Sequence, residues 1–564
     1  MLKLLHQLAI ASCLTLTSVA FAQQPPPPPP PPPPLGAPPV PAGNPLTTAK
    51  INLGKALFWE EQLSVTGTVA CGSCHRPSSA GTDPRTSIHI ALNSLASTHP
   101  GPDGIFGNSD DIKASAGVPA HSADGMYQPS ARFGFAPQVG ARKSPSAINS
   151  AYSPQVLFWD GRAGSAFTDP VTGLVLIQQG GALENQVLGP LLDTSEMSYA
   201  GAVVSDIPAR LSQVQPLALA SAVPTDLTAW VNGRDYAALF SEAFGSPGVT
   251  PARIALAIAS YERTLTANQT PFDSFNGGNT NALTAQEQRG LGVFRGNDCA
   301  VCHAGALLSD NSFRYIGIRP AVEDLGRFNQ TANPQNRGQF KVPSLRNVEL
   351  RSPFMHNGRF NTLEEVVEFY NRGGDFNEPN KDPNVRPRNL SAAQKADLVA
   401  FLKRPLTDPR VAPELAPFDR PTLYSESNHV PVIQGSGVAG SAGIVPNIMA
   451  IEPPLLGNRN FTVQVSRGLS SAVATLVVGD SDPGVPSTAT VPLGSFASIV
   501  ASLNASGDAS MQLSLPDAQA QVGRTLYGRI YVADPAAVNG FAVTSAFKIT
   551  LFGTSDVLMQ VGFE

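Results

Sequence analysis

The sequence predicts a mostly α-helical body made of two domains, followed by a small all-β module of the sandwich type. The pattern Cys-x-x-Cys-His occurs twice in the body, at residues 71–75 and 299–303. Apolar residues between positions 47 and 413 recur at helical spacing behind N-capping signals. Beyond residue 430 the chain changes to short β-prone runs separated by Gly, Pro, Asn and Asp. The body therefore carries the motifs that indicate chemistry.

Size and charge limit the classes of function. The chain has 564 residues, which is room for about three or four domains. Its formal net charge is only −5, and no basic cluster runs along a predicted helix. We therefore expect no nucleic-acid partner.

Residues 1–22 have the pattern of a secretory signal peptide. Lys3 precedes an apolar stretch at residues 8–19, and Ala20-Phe21-Ala22 provides a small-x-small cleavage site. This pattern predicts a periplasmic or secreted protein. The apolar stretch is too short for a transmembrane helix and contains hydroxyl side chains, so no transmembrane span is expected. A lipoprotein signal that ends at Cys13 is the alternative.

A proline-rich linker at residues 23–46 follows the signal. It contains ten consecutive prolines, Pro25 to Pro34, which cannot form a helix or join a sheet. In a polyproline II helix, at about 3.1 Å per residue, this run would span roughly 30 Å. We interpret the linker as a spacer, with a specific proline-rich recognition motif as the alternative.

The two Cys-x-x-Cys-His motifs predict two covalently bound c-type haems. In such a motif both thiols can form thioether bonds to a haem, and the adjacent imidazole can bind its iron. A zinc knuckle is the alternative, but no further Cys or His lies near either motif at ligand spacing. Of the five cysteines only Cys13 lies outside the motifs, so no disulfide is expected. The attachment residues would be Cys71, Cys74, His75, Cys299, Cys302 and His303.

The first half of the body combines a helix with a long loop. After Thr47 the apolar residues share one helical face, and Gly54 in that helix would permit a close approach to a neighbour. Residues 76–140 are rich in Gly, Pro, Ser and Asp without a sustained period, which indicates a loop. Within it, residues 103–111 carry many oxygen ligands that could hold calcium. Their spacing differs from an EF-hand, and an ordinary turn is the alternative.

The second half of the body contains helices that begin with capping boxes. The residue pairs are Thr284 with Glu287, Thr362 with Glu365, and Ser391 with Gln394. In the middle helix, Tyr370 falls at helical spacing after Leu363 and Val367, so it points to the buried side. From the spacing alone Tyr370 could equally be a core aromatic.

The C-terminal module, residues 430–564, is predicted to be a β-sandwich. Its β-prone runs include residues 461–465 and 473–477. No His, Cys or clustered carboxylate lies within these runs. We interpret it as a structural or binding module without chemistry of its own.

Residues 48 to about 405 resemble the bacterial di-haem cytochrome c peroxidase and MauG family. Besides the two haem motifs, the resemblance rests on a set of short matching segments in the family's order. They are Leu53-Gly54-Lys55, Phe158-Trp159-Asp160-Gly161-Arg162, Leu283-Thr284 to Phe294, Lys341-Val342-Pro343-Ser344-Leu345-Arg346-Asn347, His356-Asn357-Gly358 and Thr362-Leu363-Glu364-Glu365.

The resemblance implies two mostly helical, cytochrome-c-like domains with one haem each. The first, residues 47–230, would be peroxidatic, and the second, residues 231–413, would transfer electrons. Trp159 matches the tryptophan that lies between the haems in this family. An indole can relay an electron by transient oxidation, which an aliphatic side chain cannot do. A core tryptophan on a loop is the alternative.

The resemblance also implies a pair of catalytic side chains at the haem of His75. Gln186 and Glu196 match the family's distal pair, a carboxylate and an amide above the iron. Such groups help to split an O–O bond, because a proton must move from one oxygen to the other. The alternative is that both are solvated surface side chains.

The expected state of the first haem differs from that of typical family members. These carry a histidine that caps the first iron until the second is reduced, and Phe135 stands at the corresponding position. This implies an iron already open to peroxide. A histidine from the long loop, His89, His99 or His121, is an alternative cap.

For the second haem, the position of the family's distal methionine matches Tyr370, as in MauG-like members. An anionic oxygen ligand favours higher oxidation states than a thioether does. Met355 is the alternative ligand, and His356 is expected to line the first haem's pocket or the contact between domains. Lys143 takes the place of an asparagine that binds calcium in the family, so a calcium site is expected to be altered or empty.

The resemblance implies a di-haem peroxidase that reduces hydrogen peroxide. Electrons would come from a small redox protein, a cytochrome c or a cupredoxin, or from an oxidisable side chain of a protein substrate, as in MauG. Two alternatives remain. One is a di-haem oxygenase that uses dioxygen on a polymer or lipid, and the other is a plain electron-transfer cytochrome.

Overall fold

The protein is described by a computed structural model that covers residues 35–85, 97–212 and 214–553. The predicted signal peptide, Cys13, the prolines Pro25 to Pro34 and His89 lie outside the described residues. Within the described ranges, no helix is long and apolar enough to cross a membrane.

The helices are concentrated in the body. They are α1 (Thr48–Phe58), α2 (Cys71–Cys74), α3 (Ala182–Leu188), α4 (Asp206–Ala209), α5 (Thr225–Val231), α6 (Tyr236–Phe244), α7 (Pro251–Glu262), α8 (Pro271–Asn276), α9 (Ala285–Gly296), α10 (Cys299–Cys302), α11 (Phe328–Thr331), α12 (Leu363–Asn371) and α13 (Ala392–Leu402).

The strands of the body are short and form two-stranded antiparallel ladders. They are β1 (Thr98–His99), β2 (Ile112–Lys113), β3 (Ala116–Pro119), β4 (Pro137–Val139), β5 (Val156–Leu157), β6 (Ala163–Gly164), β7 (Phe167–Thr168), β8 (Val175–Ile177), β9 (Phe313–Arg314) and β10 (Phe340–Lys341).

Two helix pairs form the centre of the body, and a glycine permits close packing in each. A Cβ atom on Gly54 of α1 would lie 1.9 Å from the carbonyl oxygen of Ala257 in α7. A Cβ atom on Gly290 of α9 would lie 2.0 Å from the carbonyl oxygen of Asp397 in α13. Because no larger residue fits at either position, both pairs cross at backbone contact. The close approach predicted for Gly54 is confirmed.

Each helix pair has its own hydrophobic core. The first core extends from Leu53 to Ala267 and also includes Phe418 and Leu423. The second extends from Phe272 to Leu406. The helices α6 and α7 belong to the first core, so the domain boundary expected between residues 230 and 231 lies inside that core. Helical periodicity shows which face of a helix is buried, but it does not show which neighbour covers the face.

The predicted helix starts are present. Thr284, Thr362 and Ser391 each accept a hydrogen bond from the backbone three residues on, and the side chains at those positions bond back, which completes three capping boxes. These reciprocal bonds satisfy backbone donors that have no partner within the helix.

Helices nevertheless hold only 26% of the residues, fewer than a mostly helical body would imply. The described residues between α2 and α3 form turns and the ladders β1 to β8 instead. Their composition, rich in Gly, Pro, Ser and Asp, offers no helical period and favours turns. The predicted order, helices first and a β module last, is correct.

The C-terminal module consists of two antiparallel sheets. Its strands are β11 (Val432–Gln434), β12 (Asn447–Ala450), β13 (Phe461–Ser466), β14 (Val473–Gly479), β15 (Ala497–Ser502), β16 (Ala509–Leu513), β17 (Thr525–Ala533), β18 (Phe541–Val543) and β19 (Ala546–Thr550). One sheet has the order β11-β19-β17-β14-β15, with β18 also paired to β17, and the other has the order β12-β13-β16. The two strand predictions correspond to β13 and β14, whose buried residues share one core with the other strands.

The β module contacts the first half of the body through a buried carboxyl group. The hydroxyl of Tyr127 donates to Oε1 of Glu452 at 2.7 Å, and the backbone N–H of Thr462 donates to Oε2 at 3.0 Å. The hydroxyl of Tyr424 donates to the Glu452 carbonyl oxygen at 3.0 Å. Burial raises the pKa of Glu452 from 4.5 to about 8. The folded protein therefore holds a proton here at pH values where the unfolded chain has lost it.

This linkage predicts a pH-dependent contribution of Glu452 to stability. Because the folded state binds the extra proton, stability from this group falls as pH rises from about 4.5 to about 8. In Glu452→Gln, which keeps the hydrogen-bonding groups without the charge, this loss should vanish. We expect the variant to gain about 1.4 kcal/mol or more relative to wild type between pH 5 and pH 8.5, equal to at least one pKa unit.

Denaturant unfolding at the two pH values measures the difference. Glu364→Gln, at an exposed carboxyl of α12, is the matched control and should show no such gain. Equal stability differences for Glu452→Gln at both pH values would contradict the account.

Candidate functional site

One internal cavity of about 900 Å³ connects the two Cys-x-x-Cys-His motifs. Cys74 and His75 line it on one side, and Cys299, Cys302 and His303 line it on the other. The motifs are more than 200 positions apart in the sequence, and the fold brings both to the same cavity. Its size, its largely apolar walls and the cysteine–histidine sets on two sides fit two haems.

The first motif forms α2 and packs against the side chain of Trp59. A Cβ atom on Gly72 would lie 2.3 Å from the ring of Trp59, so the indole packs directly on the backbone of the motif. The Ser73 hydroxyl accepts a hydrogen bond from the backbone N–H of Ala70 at 2.9 Å. The Nδ1 of His75 lies 3.0 Å from the carbonyl oxygen of Gly81. This contact fixes the ring and leaves Nε2 available to a metal.

The second motif forms α10 and repeats the arrangement. The Nδ1 of His303 lies 3.1 Å from the carbonyl oxygen of Leu308. Burial lowers the pKa of both His75 and His303, so both rings are neutral, as a metal ligand requires. The four motif cysteines form no disulfide. Among the described residues no group of three or more His, Cys, Asp or Glu is arranged to hold a metal ion.

Trp159 lies between the two halves and is held by one hydrogen bond from each. Its indole N–H donates to the carbonyl oxygen of Lys143 at 2.7 Å, and its own carbonyl accepts the N–H of Lys341 at 2.8 Å. The edge of its ring meets the ring of His356 at a centroid distance of 6.2 Å. His356 in turn stacks on Phe340 at 3.6 Å. Trp159 and His356 both line the cavity, as the sequence predicted for His356.

Gln186 and Glu196 also line the cavity, and Glu196 is close enough to the first motif to interact electrostatically with Cys71 and Cys74. Gln186 lies on α3, which is fixed to α7 by the buried ion pair of Glu184 and Arg263 at 2.8 Å. Glu196 lies in a turn in which Asp193 accepts the backbone N–H groups of Ser195, at 2.7 Å, and Glu196, at 3.2 Å. Neither the Gln186 nor the Glu196 side chain bonds to a described residue, so both face the open space.

The electrostatic surroundings of Glu196 keep it close to half-protonated at neutral pH. Burial, and then the neighbouring Asp193 carboxylate, raise the pKa of Glu196 from 4.5 to about 7. Arg162 acts in the opposite direction. A carboxyl group with this pKa can accept and return a proton near neutral pH.

Tyr370 and Met355 both line the cavity, so the structure brings together both candidate ligands for the second haem. Tyr370 lies on α12 and packs edge-on against Phe369 at 5.1 Å. Its hydroxyl forms no hydrogen bond to a described residue, although burial raises its pKa. A core tyrosine usually satisfies its hydroxyl, so this one is available to a ligand in the cavity.

Phe135 does not line the cavity. It packs with Tyr127 and with Ile451 of the β module in a small buried cluster. Of the alternative histidines, His99 lines the cavity, where its Nε2 lies 2.7 Å from the guanidinium of Arg132. His121 lies under Tyr127 and Tyr199 instead, at centroid distances of 5.9 and 5.8 Å.

The predicted calcium loop at residues 103–111 forms a turn. Its carboxylates accept hydrogen bonds from backbone N–H groups of the same loop, among them Asp103 from Ile105 at 2.8 Å and Asp111 from Gly107 at 2.8 Å. Lys143, at the other proposed calcium position, is buried at 5% exposure and lines the cavity.

Several residues that shape the site carry no sequence signal of their own. Gly117 of β3 lies against the turn of Glu196, where a Cβ atom would be 2.3 Å from the Glu196 carbonyl oxygen. Glu184 and Arg263 are 79 positions apart and pair only in the fold. Glu262, a further buried carboxyl on the cavity, has an Oε2 without a described partner. The pair of Glu184 and Arg263 could have been predicted only by matching buried charges of opposite sign on different helices.

The chain is similar to known di-haem proteins over its body. The di-haem cytochrome c peroxidase family model matches residues 48–281. Methylamine utilization protein MauG of Methylorubrum extorquens is 32% identical over 375 residues, which cover 66% of this chain and 82% of that protein. Cytochrome-c peroxidase IdrP1 of Denitromonas iodatirespirans is 31% identical over 407 residues, covering 66% and 86%. Cytochrome c551 peroxidase of Nitrosomonas europaea is 29% identical over 369 residues, covering 65% and 82%.

The similarity to these relatives and the cavity lined by both motifs indicate the same kind of protein. The matches span most of each relative's length, and the family model includes the first haem motif, residues 71–75. The chain therefore belongs to the di-haem cytochrome c peroxidase family and is a di-haem c-type peroxidase, an oxidoreductase that acts on peroxide.

Proposed function

We propose that this peroxidase binds hydrogen peroxide on the side of the cavity next to His75 and keeps oxidising equivalents on the side next to His303. The observation that carries the proposal is the asymmetry of the cavity lining. Gln186 and Glu196 line the cavity without a side-chain hydrogen bond to a described residue, and Glu196 lies near Cys71 and Cys74. The hydroxyl of Tyr370, which also has no hydrogen bond to a described residue, lies near Cys299 and Cys302. The haems would be covalently bound through Cys71, Cys74, Cys299 and Cys302, with His75 and His303 as iron ligands. Bound haem iron supplies the redox chemistry.

On the first side the chain supplies proton transfer. Splitting peroxide requires that one oxygen loses a proton and the other gains one. The Glu196 carboxylate can accept the proton at Oε and return it, because its pKa of about 7 matches both steps. The Gln186 amide can orient peroxide by hydrogen bonding, since α3 holds it rigidly.

On the second side the chain supplies a ligand. The Tyr370 hydroxyl is free to bind as a phenolate, which favours oxidised iron more than the thioether of Met355 would. Trp159 lies between the sides and joins them through its contacts with Lys143 and Lys341. We assign it the role of electron relay.

The proposal extends to the surroundings of the enzyme. The signal-like residues 1–22 support export to the periplasm or beyond, with a lipid anchor at Cys13 as the less supported route. Electrons would come from a cytochrome c, a cupredoxin or a side chain of a protein substrate, as for MauG. The two cores support two cytochrome-c-like domains, with the boundary near residue 268.

Removal of the Glu196 carboxyl should slow peroxide turnover. A side chain that transfers protons in the rate-limiting step contributes about 10²- to 10⁴-fold, so we expect a loss of this order in Glu196→Gln. In wild type, kcat/KM should rise with pH through about 7 as Glu196 deprotonates, and this rise should be absent in the variant. Steady-state peroxide consumption between pH 5 and 9 measures both effects.

A second variant tests the electrostatic cause. Asp193→Asn removes the charge that raises the Glu196 pKa, so the midpoint of the profile should move to lower pH. Haem staining after denaturing electrophoresis checks that each variant retains both haems covalently. An Asp193→Asn midpoint equal to that of wild type, or an unchanged profile in Glu196→Gln, would contradict the assignment.

Exchange of Tyr370 should change the second haem alone. In Tyr370→Met a thioether replaces the phenolate, so the reduction potential of one haem should rise while the other stays constant. Met355→Leu is the matched control and should leave both potentials unchanged. A redox titration followed by absorption spectroscopy measures them. If Met355→Leu shifts a potential and Tyr370→Met does not, Met355 is the ligand.

A further inference from the structure

Three cationic side chains on the cavity have no carboxylate partner. Lys143, Lys341 and Arg351 all line it, and none forms an ion pair with a described residue. The Lys143 ammonium has only a contact of 3.5 Å with the carbonyl oxygen of Asp83. The Lys341 ammonium donates to the neutral oxygens of Ser153 at 3.0 Å and Asn311 at 2.6 Å. Arg351 donates to two backbone carbonyls, and its Nε has no partner.

Four other basic residues on the same cavity are paired. The shortest contacts are 2.6 Å for Arg142 with Asp324, 3.3 Å for Arg162 with Asp160, 3.0 Å for Arg314 with Asp382 and 2.6 Å for Arg388 with Asp298. The carboxylate nearest to Lys143, that of Asp83, is already taken by Arg85 at 2.6 Å. Arg132, which also lines the cavity without an ion pair to a described residue, is exposed and contacts His99 at 2.7 Å. Apart from this exposed residue, the absence of a carboxylate partner is specific to the three.

Buried cations of this kind need an anion. Removal of a charge from water costs several kcal/mol unless an opposite charge and hydrogen bonds replace the water. Burial lowers the pKa of both Lys143 and Lys341 to about 8. The lower proton affinity reflects the free-energy cost of keeping a charged ammonium group away from water. An anion in the cavity would raise the proton affinity of both lysines again, because its negative charge stabilises the ammonium groups, and the same attraction would hold the anion.

The three residues are grouped around Trp159. Lys143 accepts the indole N–H at its carbonyl oxygen, and Lys341 donates its backbone N–H to the Trp159 carbonyl. The Arg351 guanidinium is close enough to Lys143 to lower its pKa further. An anion bound to any of them thus lies near Trp159, on the cavity that both motifs line.

We propose that Lys143, Lys341 and Arg351 bind the propionate carboxylates of the two haems beside Trp159. This inference rests on the proposed haem binding, since each haem brings two carboxylates that must be neutralised when it is buried. The three side chains would thus provide the positive charge that holds both haems next to Trp159, the proposed electron relay. Lys143 is a positioning residue in this account, because it acts through the propionate.

The reduction potential of the haems tests the proposal. Loss of a positive charge next to a propionate favours ferric haem, so Lys143→Gln should lower the potential of at least one haem. Lys143→Arg, which keeps the charge, should restore most of it. A tenfold change in the ferric-to-ferrous equilibrium corresponds to about 59 mV for one electron. Lys113→Gln, at an exposed lysine outside the cavity lining, is the matched control and should leave both potentials unchanged.

Two further measurements keep the outcomes separate. Haem content and peroxide turnover of the wild type are recorded first, and a chain without two haems would overturn both this proposal and the proposed function. If the wild type is a di-haem peroxidase but Lys143→Gln has wild-type potentials, only this proposal fails. If the cations hold a solvent anion, exchange of chloride for phosphate at constant ionic strength will shift the wild-type potentials, which also overturns it.

A crystal structure of the holoprotein is independent of any variant. Propionate oxygens within hydrogen-bonding distance of the Lys143 and Lys341 ammonium groups would support the proposal. Propionates directed to solvent would refute it.

Discussion

One hydrogen bond of Trp159 joins the two halves of the body, and a second holds its ring against the first half. The indole N–H binds the carbonyl of Lys143 in the first half, and the Trp159 carbonyl binds the N–H of Lys341 in the second. Both bonds lie at the wall of the cavity that the two motifs share. The ion pair of Arg142 with Asp324 at 2.6 Å also crosses between the halves, and together with the Lys341 bond it holds both motifs on one cavity. The proposed relay and the proposed propionate contacts both depend on this geometry.

The two sides of the cavity differ in what the chain offers beyond the motifs. The motifs themselves have the same local structure, with Nδ1 of each histidine against a backbone carbonyl. The first side adds Glu196, whose pKa of about 7 suits proton transfer. The second side adds the unpartnered hydroxyl of Tyr370. This difference is the basis for the proposed division into one haem that reacts with peroxide and one that stores oxidising equivalents.

The features that could be predicted from the sequence are those that depend on residue patterns within one segment of the chain. Capping boxes and helical periodicity predicted α1, α9, α13 and α12, the helix that carries Tyr370, and the close approach at Gly54 is present. The predicted helical content was too high. The predicted boundary at residues 230 and 231 separates α6 and α7 from the core that they share with α1, because periodicity does not identify the partner of a helix. Phe135, which we expected at the first haem, lies in a cluster with the β module. The unpaired state of Lys143 and Lys341 depends on contacts between distant segments, which no local pattern encodes.

The central claim is that the two haem sites are chemically different. The most direct test is the absorption and EPR spectrum of the purified ferric protein, recorded before and after addition of stoichiometric peroxide. The account predicts one high-spin haem that is open to peroxide and one low-spin haem, and it predicts that peroxide changes both signals. Two six-coordinate, low-spin haems that do not react with peroxide would contradict it.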